Sequence, residues 1–313
     1  MNHTLEGLVI RTQAGFLTVE TEAGEFICRL RGRLKQGDVE GDIAAIGDRV
    51  SFTLNKDGTG MIDSVSERTA EFSRVRTGIK REYRQILLAN PDQIVIVFAC
   101  AEPEPHLRML DRFLVIAEKQ QIQALIVANK VDLIPRKQAE ELFGLYEDLG
   151  YSVFYTSAHT GVGVRNLRDA ITGKLSALVG PSGVGKSSLL NTIQPALGLH
   201  VREVSQTTSK GRHTTQVREL FPLDVGGYVA DTPGIRSLAL WDTEPEELDA
   251  YFIEMRYLVA DCQFNDCTHT HEPGCAVRKA VEQGSIAPER YASYLRMRFG
   301  DESEKYYDEF FKE

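Results

Sequence analysis

A glycine-rich segment, GPSGVGKS, occupies residues 180–187, after an apolar strand-like run and before a helix-like segment. Its glycines let backbone N–H groups curl around phosphate oxygens without Cβ clashes, at a helix N-terminus that favours anions. This context predicts a phosphate-binding loop in which Lys186 reaches the β and γ phosphates of a nucleotide. Taken alone, so loose a pattern also fits a plain turn between a strand and a helix. The residues expected to line the loop are Gly180, Pro181, Ser182, Gly183, Val184, Gly185, Lys186, Ser187 and Ser188.

A magnesium ion accompanies the phosphates that such a loop binds, and two residues are placed to hold it. The hydroxyl of Ser187 is the expected ligand on one side. Asp231, which opens the sequence DTPG after a strand-like run, is expected to hold the ion from the other side. Gly234, the last residue of DTPG, is expected to donate its N–H to the γ phosphate.

The sequence NKVD, at residues 129–132, follows an apolar strand-like run, at the edge of a sheet where α/β proteins bind ligands. Asp132 can accept both the N1–H and the 2-amino group of guanine, whereas adenine offers neither donor there. Asn129 and Lys130 are expected to support the base and the loop. Ser157 and Ala158, within YTSA after the next strand-like run, are expected to bring a backbone N–H to the guanine O6. A helix-capping loop is the alternative for NKVD taken alone.

Three of the five cysteines lie close together in CQFNDCTHTHEPGC, at residues 262–275. In a reducing compartment such a cluster indicates metal binding and not disulfides. Cys262, Cys267, His269 and Cys275 offer three thiolates and an imidazole, which suit one tetrahedral Zn²⁺ with no open position for a catalytic water. The predicted zinc site is therefore structural. His271 is a rival ligand, and a metal-free buried thiol cluster is the alternative.

The elements that must position these residues fall into three segments. Short β-rich runs separated by turn signals predict a small β-barrel over residues 1–68. Buried strands then alternate with helical spacing over residues 69–243, including a helix over 142–149, which predicts a doubly wound α/β domain. Residues 244–313 have few β-type runs and show helical spacing, which predicts a small helical domain that the metal holds together.

The composition is that of an ordinary globular chain, with 313 residues that are 42% hydrophobic and 26% charged. The longest apolar run, at residues 94–101, is too short to cross a bilayer, and the opening MNHTLEGL lacks the features of a signal peptide. We therefore expect a cytoplasmic protein with no membrane partner. A net charge of −9 argues against indiscriminate coating of nucleic acid, although local basic patches can still dock RNA.

Two basic runs are candidates for such patches. In the first, alternate residues are basic, so a strand over that segment would place them on one face of the barrel as a cationic stripe. Barrels of the oligonucleotide-binding type use such faces for nucleic acid, but a solvated face fits the sequence equally well. The second run, after the barrel, faces RNA or links the domains. The runs comprise Arg29, Arg31, Arg33 and Lys35, and then Arg74, Arg76, Lys80, Arg81 and Arg84.

The order of the nucleotide motifs is unusual. Guanine-nucleotide switches normally run from the phosphate loop through the switch threonine and DxxG to NKxD and SA. Here NKVD and TSA come first, followed by GPSGVGKS, two threonines and DTPG, so the domain is predicted to be circularly permuted. With a β-barrel before it and a Cys/His cluster after it, the whole chain resembles the ribosome small-subunit-dependent GTPase A family of bacteria. The most specific signs are GRHTTQ at residues 211–216 and the cysteine-rich segment.

The resemblance implies roles for residues between the phosphate loop and the end of DTPG. Thr215 is implied to close over Mg²⁺ in the GTP state, with Thr214 as the alternative. Ile235 follows DTPG, where many GTPases have a glutamine that orients the attacking water. We therefore hypothesise that His213 holds or polarises this water once a partner orders the loop, the alternative being an exposed loop histidine. The predicted catalytic residues are His213, Lys186 and Thr215.

The resemblance also implies an OB-fold barrel that binds rRNA, a permuted P-loop GTPase domain and a C-terminal zinc-binding domain. The implied function is GTP hydrolysis on the small ribosomal subunit late in its assembly, with turnover stimulated by the subunit. A GTP-gated rRNA-binding scaffold with negligible turnover is the alternative, and NKVD opposes a kinase or an ATPase. The implied cofactors are one structural Zn²⁺, and Mg²⁺ with GTP. The expected partners of the monomer are the small subunit, its rRNA, and GTP or GDP.

Overall fold

The structure, a computed structural model, describes residues 4–35, 41–76, 83–199, 218–231, 243–300 and 303. The N-terminal strands are β1 Thr4–Gln13, β2 Phe16–Thr21, β3 Gly24–Leu30, β4 Arg49–Leu54 and β5 Gly60–Val65. β1 pairs with both β2 and β4, while β5 pairs with both β3 and β4, so the strands close into a barrel. Alternate side chains fill its interior, as the twofold period of a strand requires. The predicted β-barrel is confirmed, with a core of Val9, Leu17, Val19, Cys28, Val50, Phe52 and Ile62.

The first basic run does not form the expected stripe. β3 ends at Leu30, and Gly32–Lys35 forms a short 3-10 helix, so the four basic residues do not share one strand face. In addition, Arg31 and Arg33 both approach the carboxylate of Asp63, at 2.7 and 3.9 Å. The prediction of a continuous cationic stripe is therefore wrong, because the chain leaves the strand and one carboxylate lies beside two of the basic residues.

A two-stranded antiparallel sheet follows the barrel, formed by β6 Glu71–Arg76 and β7 Tyr83–Ala89. The second basic run lies partly on these strands and partly in residues 77–82, which are outside the described residues. On β7, Arg84 contacts the carboxylate of Glu71 at 2.9 Å. This run is therefore not a uniform block of unpaired charge.

The central domain is built on a mainly parallel sheet. Its parallel strands are β8 Gln93–Ala99, β9 Gln123–Asn129, β10 Ser152–Tyr155, β11 Leu175–Val179 and β13 Tyr228–Asp231, and β12 Arg218–Pro222 runs antiparallel to β13. Across the sheet the order is β10, β9, β8, β11, β13 and β12. The accompanying helices are α1 Leu107–Lys119, α2 Arg136–Asp148, α3 Val164–Ile171 and α4 Lys186–Ile193.

Strand β8 shows why the strands of this sheet appear in the sequence as uninterrupted apolar runs. Ile94 and Ile96 lie in the core that contains α1 and α2, whereas Val95 and Val97 lie in the core that contains α3 and α4. Both faces are thus buried, and no polar residue is needed between the apolar ones. A parallel sheet with helices on both faces is the doubly wound architecture that the sequence predicts.

Strand β12 joins the barrel to the central sheet. It pairs with β13 on one side and antiparallel with β1 on the other, so the two domains share one sheet of eleven described strands. Arg11 of β1 lies opposite Glu219 of β12, and their side chains form an ion pair at 2.7 Å. A second side-chain contact joins the domains, because the hydroxyl of Tyr228 in β13 donates to the carboxylate of Glu20 in β2. The barrel is therefore attached to the nucleotide domain by backbone pairing as well as by side chains.

The C-terminal part is small and helical, with α5 Leu248–Tyr251, α6 Ala276–Glu282 and α7 Pro288–Phe299. Its apolar core includes Val115 of α1. Arg290 of α7 donates to Asp111 of α1 and to Glu254, each at 2.6 Å. The domain thus docks on α1 through apolar contacts and a buried ionic group. In the part of the chain described, none of the helices has the length and apolar character of a membrane span.

Candidate nucleotide site and metal centre

The candidate nucleotide site lies along one edge of the central sheet. Because β9, β10, β11 and β13 are parallel, their last residues, Asn129, Tyr155, Val179 and Asp231, reach the same edge. Ligands of open α/β sheets bind in the crevice outside this edge. The starts of TSA, the phosphate loop and DTPG thereby come together with NKVD, although they are far apart in the sequence.

The phosphate loop requires glycine where it passes closest to its neighbours. Gly180 has a φ of 138° and Gly185 a φ of 95°, in a region that L side chains rarely adopt. A Cβ on Gly180 would lie 2.1 Å from the carbonyl oxygen of Val97, and a Cβ on Gly185 would lie 2.4 Å from Nδ2 of Asn129. Neither position has room for a side chain, so the loop is packed against both β8 and NKVD.

Lys186 begins helix α4 at the end of the loop. Its Nζ donates to the carbonyl oxygens of Gly180 and Pro181, at 2.8 and 2.7 Å, so the side chain folds back across the loop. This places an ammonium group beside a helix N-terminus, where both favour bound phosphate. The next residue, Ser187, is half-buried, and within the described residues its hydroxyl has no hydrogen-bond partner. The hydroxyl is therefore available as a metal ligand.

The buried side chain of Asn129 connects three motifs. Its Nδ2 donates to the carbonyl oxygen of Val184 in the phosphate loop, at 2.8 Å. Its Oδ1 accepts from the hydroxyl of Thr156 at 3.1 Å and from the N–H of Ala158 at 3.2 Å. A buried amide whose donor and acceptor are both satisfied fixes the relative positions of its partners. NKVD, TSA and the phosphate loop are thus held as one unit.

The rest of NKVD presents a carboxylate to solvent. Lys130 has a φ of 63°, in the left-handed region, and its Nζ donates to the carbonyl oxygen of Glu102. The N–H of Val131 donates to the carbonyl oxygen of Thr156 at 3.1 Å. Asp132 is exposed, and its carboxylate forms no hydrogen bond or ion pair with any residue that the structure describes. Both of its oxygens can therefore accept donors from a ligand.

Thr156 and Ser157 of the TSA segment are buried, Ala158 is partly exposed, and the segment makes hydrogen bonds within the protein. Oγ of Ser157 accepts from the N–H of Thr160 at 3.0 Å, and the N–H of Ser157 donates to the carbonyl oxygen of Val162 at 2.9 Å. The structure brings Ser157 and Ala158 next to Asn129, as expected. However, the N–H groups of Ser157 and Ala158, one of which is expected to approach the guanine O6, are both bonded within the protein, that of Ala158 to Oδ1 of Asn129 at 3.2 Å.

The register of the sheet places Asp231, the first residue of DTPG, beside the strand that leads into the phosphate loop. Asp231 ends β13, and its Cα lies opposite that of Leu178 in β11, just before the loop begins. The side chain of Asp231 is not among those described. The predicted residues that lie entirely outside the described ranges are His213, Thr214, Thr215, Gly234 and Ile235.

The four predicted metal ligands meet in one place. Each of Cys262, Cys267, His269 and Cys275 contributes one donor atom, and these atoms all lie within 4.8 Å of one another. Nδ1 of His269 is 3.4 Å from Sγ of Cys275 and 3.6 Å from Sγ of Cys262, and these two sulfurs are 4.0 Å apart. A tetrahedral ion with bonds of about 2.3 Å to sulfur separates its sulfur ligands by about 3.8 Å. His271, the rival ligand, is exposed and lies outside this group.

The chemistry of these donors fits a thiophilic ion such as zinc. Burial acts to lower the pKa of His269, but contacts with Asp249 and Cys275 raise it to about 9. Burial also acts to raise the pKa of the Cys275 thiol, but the hydrogen bond with His269 lowers it. The contact thus favours the thiolate of Cys275 beside a protonated His269; the thiolate is the form that binds metal, and a metal bound at Nδ1 displaces the proton from that nitrogen. Magnesium, which prefers oxygen ligands, does not suit this set.

Glu272 organises the loop that carries His269, a role that the sequence does not reveal. Its carboxylate accepts from the N–H groups of Thr268, Thr270 and His271, at 2.7, 3.0 and 3.2 Å. Burial acts to raise the pKa of Glu272, but the hydroxyl of Thr268 and the N–H groups of Thr268 and Thr270 lower it to about 2. The alternating threonines before Glu272 are the only sequence signal of this turn, and they fit any polar loop.

Comparison with known proteins identifies the family. A family model described as RsgA GTPase matches residues 65–241, more than half of the chain, and a model of the RsgA N-terminal domain matches residues 6–62. The chain belongs to the RsgA GTPase family. A small ribosomal subunit biogenesis GTPase RsgA from Gemmatimonas aurantiaca is 46% identical over 302 residues, which cover 95% of this chain and 98% of that protein.

Two solved structures similar to this RsgA family member share its fold. YjeQ from Thermotoga maritima has a TM-score of 0.77 and 38% identity, covering 95% of this chain and 98% of that one. YloQ, described as a circularly permuted GTPase, has a TM-score of 0.71 and 33% identity, covering 95% and 94% of the two chains. The permuted order predicted from the motifs is therefore confirmed for this RsgA GTPase domain.

Proposed function

We propose that this protein hydrolyses GTP on the small ribosomal subunit, late in the assembly of that subunit, and that the subunit stimulates turnover. Membership of a GTPase family and the name of the Gemmatimonas relative support the proposal. The observation that carries it is the side chain of Asn129, which joins the base-reading motif to the phosphate loop. A site that joins those two motifs can bind the base and the phosphates of one guanine nucleotide.

On the base side, Asp132 accepts the N1–H and the 2-amino group of guanine, and Lys130 and Asn129 hold the loop around it. Because adenine lacks these donors, the carboxylate would be left unpaired, and the site prefers GTP to ATP. On the phosphate side, backbone N–H groups and Lys186 bind the phosphate oxygens. The proposed nucleotide contacts are Asn129, Lys130, Asp132, Ser157, Ala158, Gly180, Pro181, Ser182, Gly183, Val184, Gly185, Lys186, Ser187, Ser188, Asp231 and Gly234.

For hydrolysis, the proposed magnesium ligands are Ser187, Thr215 and Asp231. Magnesium, when bound with GTP, neutralises charge on the β and γ phosphates. Lys186 adds a positive charge where the leaving phosphate oxygens become more negative. His213 is proposed to position the attacking water, since Ile235 cannot do so. The role of Thr215 is the one that the family resemblance implies for its position.

We further propose that Cys262, Cys267, His269 and Cys275 bind one structural Zn²⁺, and the proximity of their donor atoms supports this. Four protein ligands fill a tetrahedral site and leave no position for a reactive water. The proposed domains are an rRNA-binding OB-fold barrel over residues 1–68, the GTPase domain over 69–243 and the zinc-binding domain over 244–313. The protein is proposed to act as a monomer in the cytoplasm.

The test compares GTP turnover by the full chain alone, with small ribosomal subunits and with large ribosomal subunits. Stimulation by small subunits only is expected. Equal stimulation by both subunits would overturn the proposed partner, and negligible turnover in all three would favour a GTP-gated rRNA-binding scaffold.

His213→Ala tests the proposed water-positioning residue. The variant should retain the affinity of the wild type for GTP but lose turnover stimulated by small subunits, because only the transition state needs the oriented water. Unchanged stimulated turnover would remove His213 from the mechanism without affecting the assignment of the nucleotide site.

A further inference from the structure

The imidazole ring of His269 is held from both sides. Nδ1 faces the sulfurs of Cys275 and Cys262, at 3.4 and 3.6 Å, while Nε2 lies 3.0 Å from Oδ2 of Asp249. The ring is fully buried, so water does not compete for either nitrogen. Within the described residues, the carboxylate of Asp249 has no other hydrogen-bond or ion-pair partner. The side chain of Asp249 is thus committed to this contact.

A neutral imidazole carries one proton, and the nitrogen without that proton supplies the lone pair that binds a metal. A carboxylate beside Nε2 keeps the proton there, which leaves the lone pair on Nδ1, facing the sulfurs. We infer that Asp249 is a positioning residue of the metal site, whose carboxylate holds His269 in the tautomer that binds zinc through Nδ1. The inference rests on the proposed zinc site and adds to it a residue that is not itself a ligand.

The backbone of His269 is fixed independently of Asp249. His269 has a φ of 62°, in the left-handed region that is uncommon for residues with a side chain. The hydroxyl of Tyr291 donates to the carbonyl oxygen of His269 at 2.7 Å and holds the peptide in place. Loss of the Asp249 carboxylate should therefore release the ring and its proton, while the loop keeps its conformation.

Asp249 also connects the metal site to the nucleotide domain. It lies on α5, whose neighbouring residues Leu248 and Phe252 share an apolar core with Val115 of α1. A metal bound by His269 favours the Asp249 contact and thus the docked position of α5. Because a ligand stabilises the state that binds it, metal binding and docking on α1 are linked.

The first test measures zinc affinity of the full chain by competition with a chromogenic chelator. Loss of such an outer partner weakens metal binding by about 10–100-fold, and Asp249→Ala should fall in that range. Asp249→Asn keeps one acceptor oxygen and should retain more of the affinity. The control is Asp266→Asn, which removes an acidic charge from an exposed residue beside Cys267. An exposed charge contributes little, so this control should stay within about twofold of the wild type.

The second test observes the tautomer directly, by ¹⁵N NMR of the zinc-loaded wild type with labelled histidine. Nε2 of His269 should carry the proton, and Nδ1 should show the shift of a metal-bound nitrogen. Binding through Nε2, or equal zinc affinity in Asp249→Ala and Asp266→Asn, overturns the inference and leaves the zinc site standing. A wild type that binds no zinc overturns the proposed site itself. The NMR experiment needs no variant, so it can refute the inference even if Asp249→Ala fails to fold, and Asp249→Asn then tests the carboxylate itself.

Discussion

Replacing Arg290 with methionine tests how the C-terminal domain is attached to α1. The side chains of Arg290 and Asp111 are 1% and 3% exposed, and the guanidinium also contacts Glu254, at 2.6 Å in each case. Methionine fills much of the same space but leaves both carboxylates in the interface without this cation. Removing one partner of a buried pair costs about 3–5 kcal/mol, because the remaining charge is still desolvated. The Tyr146 hydroxyl still donates to Asp111 at 2.8 Å, so we expect a loss near the lower limit.

The assay is unfolding in urea followed by circular dichroism, with Arg256→Met as the control. Arg256 also pairs with an acidic residue of α1, Glu118, at 3.1 Å, but the two side chains are 38% and 24% exposed. Exposed pairs contribute up to about 1 kcal/mol, so the control should lose no more than that. Equal losses in the two variants would refute the reasoning that burial makes the Arg290 contacts strong.

A third variant separates charge from packing. Combining Arg290→Met with Asp111→Asn and Glu254→Gln removes the cation and both anions, and neutral replacements of buried ion pairs are often tolerated. This variant should recover most of the lost stability. If it is as unstable as Arg290→Met alone, the loss comes from packing, including the guanidinium placed 4.6 Å from the centre of the Phe252 ring.

Three other substitutions test the nucleotide site and the barrel junction. Gly185→Ala should weaken binding of fluorescent GDP, whereas Gly173→Ala, also at positive φ but with no atom within 4 Å of the added Cβ, should bind normally. Asp132→Asn should shift preference towards xanthosine triphosphate in a competition assay, because asparagine can donate to the oxygen that replaces the 2-amino group; unchanged preference contradicts the guanine assignment. Burial and the hydrogen bond to Glu20 raise the pKa of Tyr228 from 10.0 to about 12. The folded state therefore favours the neutral phenol of Tyr228. Tyr228→Phe should lower the free energy of unfolding below pH 10, and this difference from the wild type should disappear as the pH rises towards 12. A difference in unfolding free energy that stays constant over this pH range would contradict the prediction.

Local motifs could be predicted from the sequence because their chemistry resides in adjacent residues. The phosphate loop and NKVD each follow a recognisable strand, and the metal ligands lie within one short segment. Contacts between distant segments leave no such pattern. Asp249 is 20 residues from His269, and Arg290 is 179 residues from Asp111, so only the folded chain shows these partners together.

The ends of exposed elements could not be predicted either. The sequence indicates a helix from residue 142, but α2 already begins at Arg136. Its first turn carries an exposed ion pair between Arg136 and Glu140, at 2.7 Å, and contributes little to the apolar periodicity that reveals a helix. The first basic run gives the opposite error, because alternating charges suggest a strand that in fact ends at Leu30.

The pairing of β1 with β12 fixes the position of the barrel relative to the nucleotide domain. Rotating the barrel against the nucleotide domain would break backbone hydrogen bonds, the Arg11–Glu219 ion pair and the contact of Tyr228 with Glu20. In the proposed function the barrel binds RNA, and the distance from that RNA to a nucleotide at the sheet edge is then set by the protein and not by its ligand. A protein with this fixed distance between its barrel and its nucleotide domain fits the subunit only when the two subunit surfaces that these domains contact have reached their final spacing.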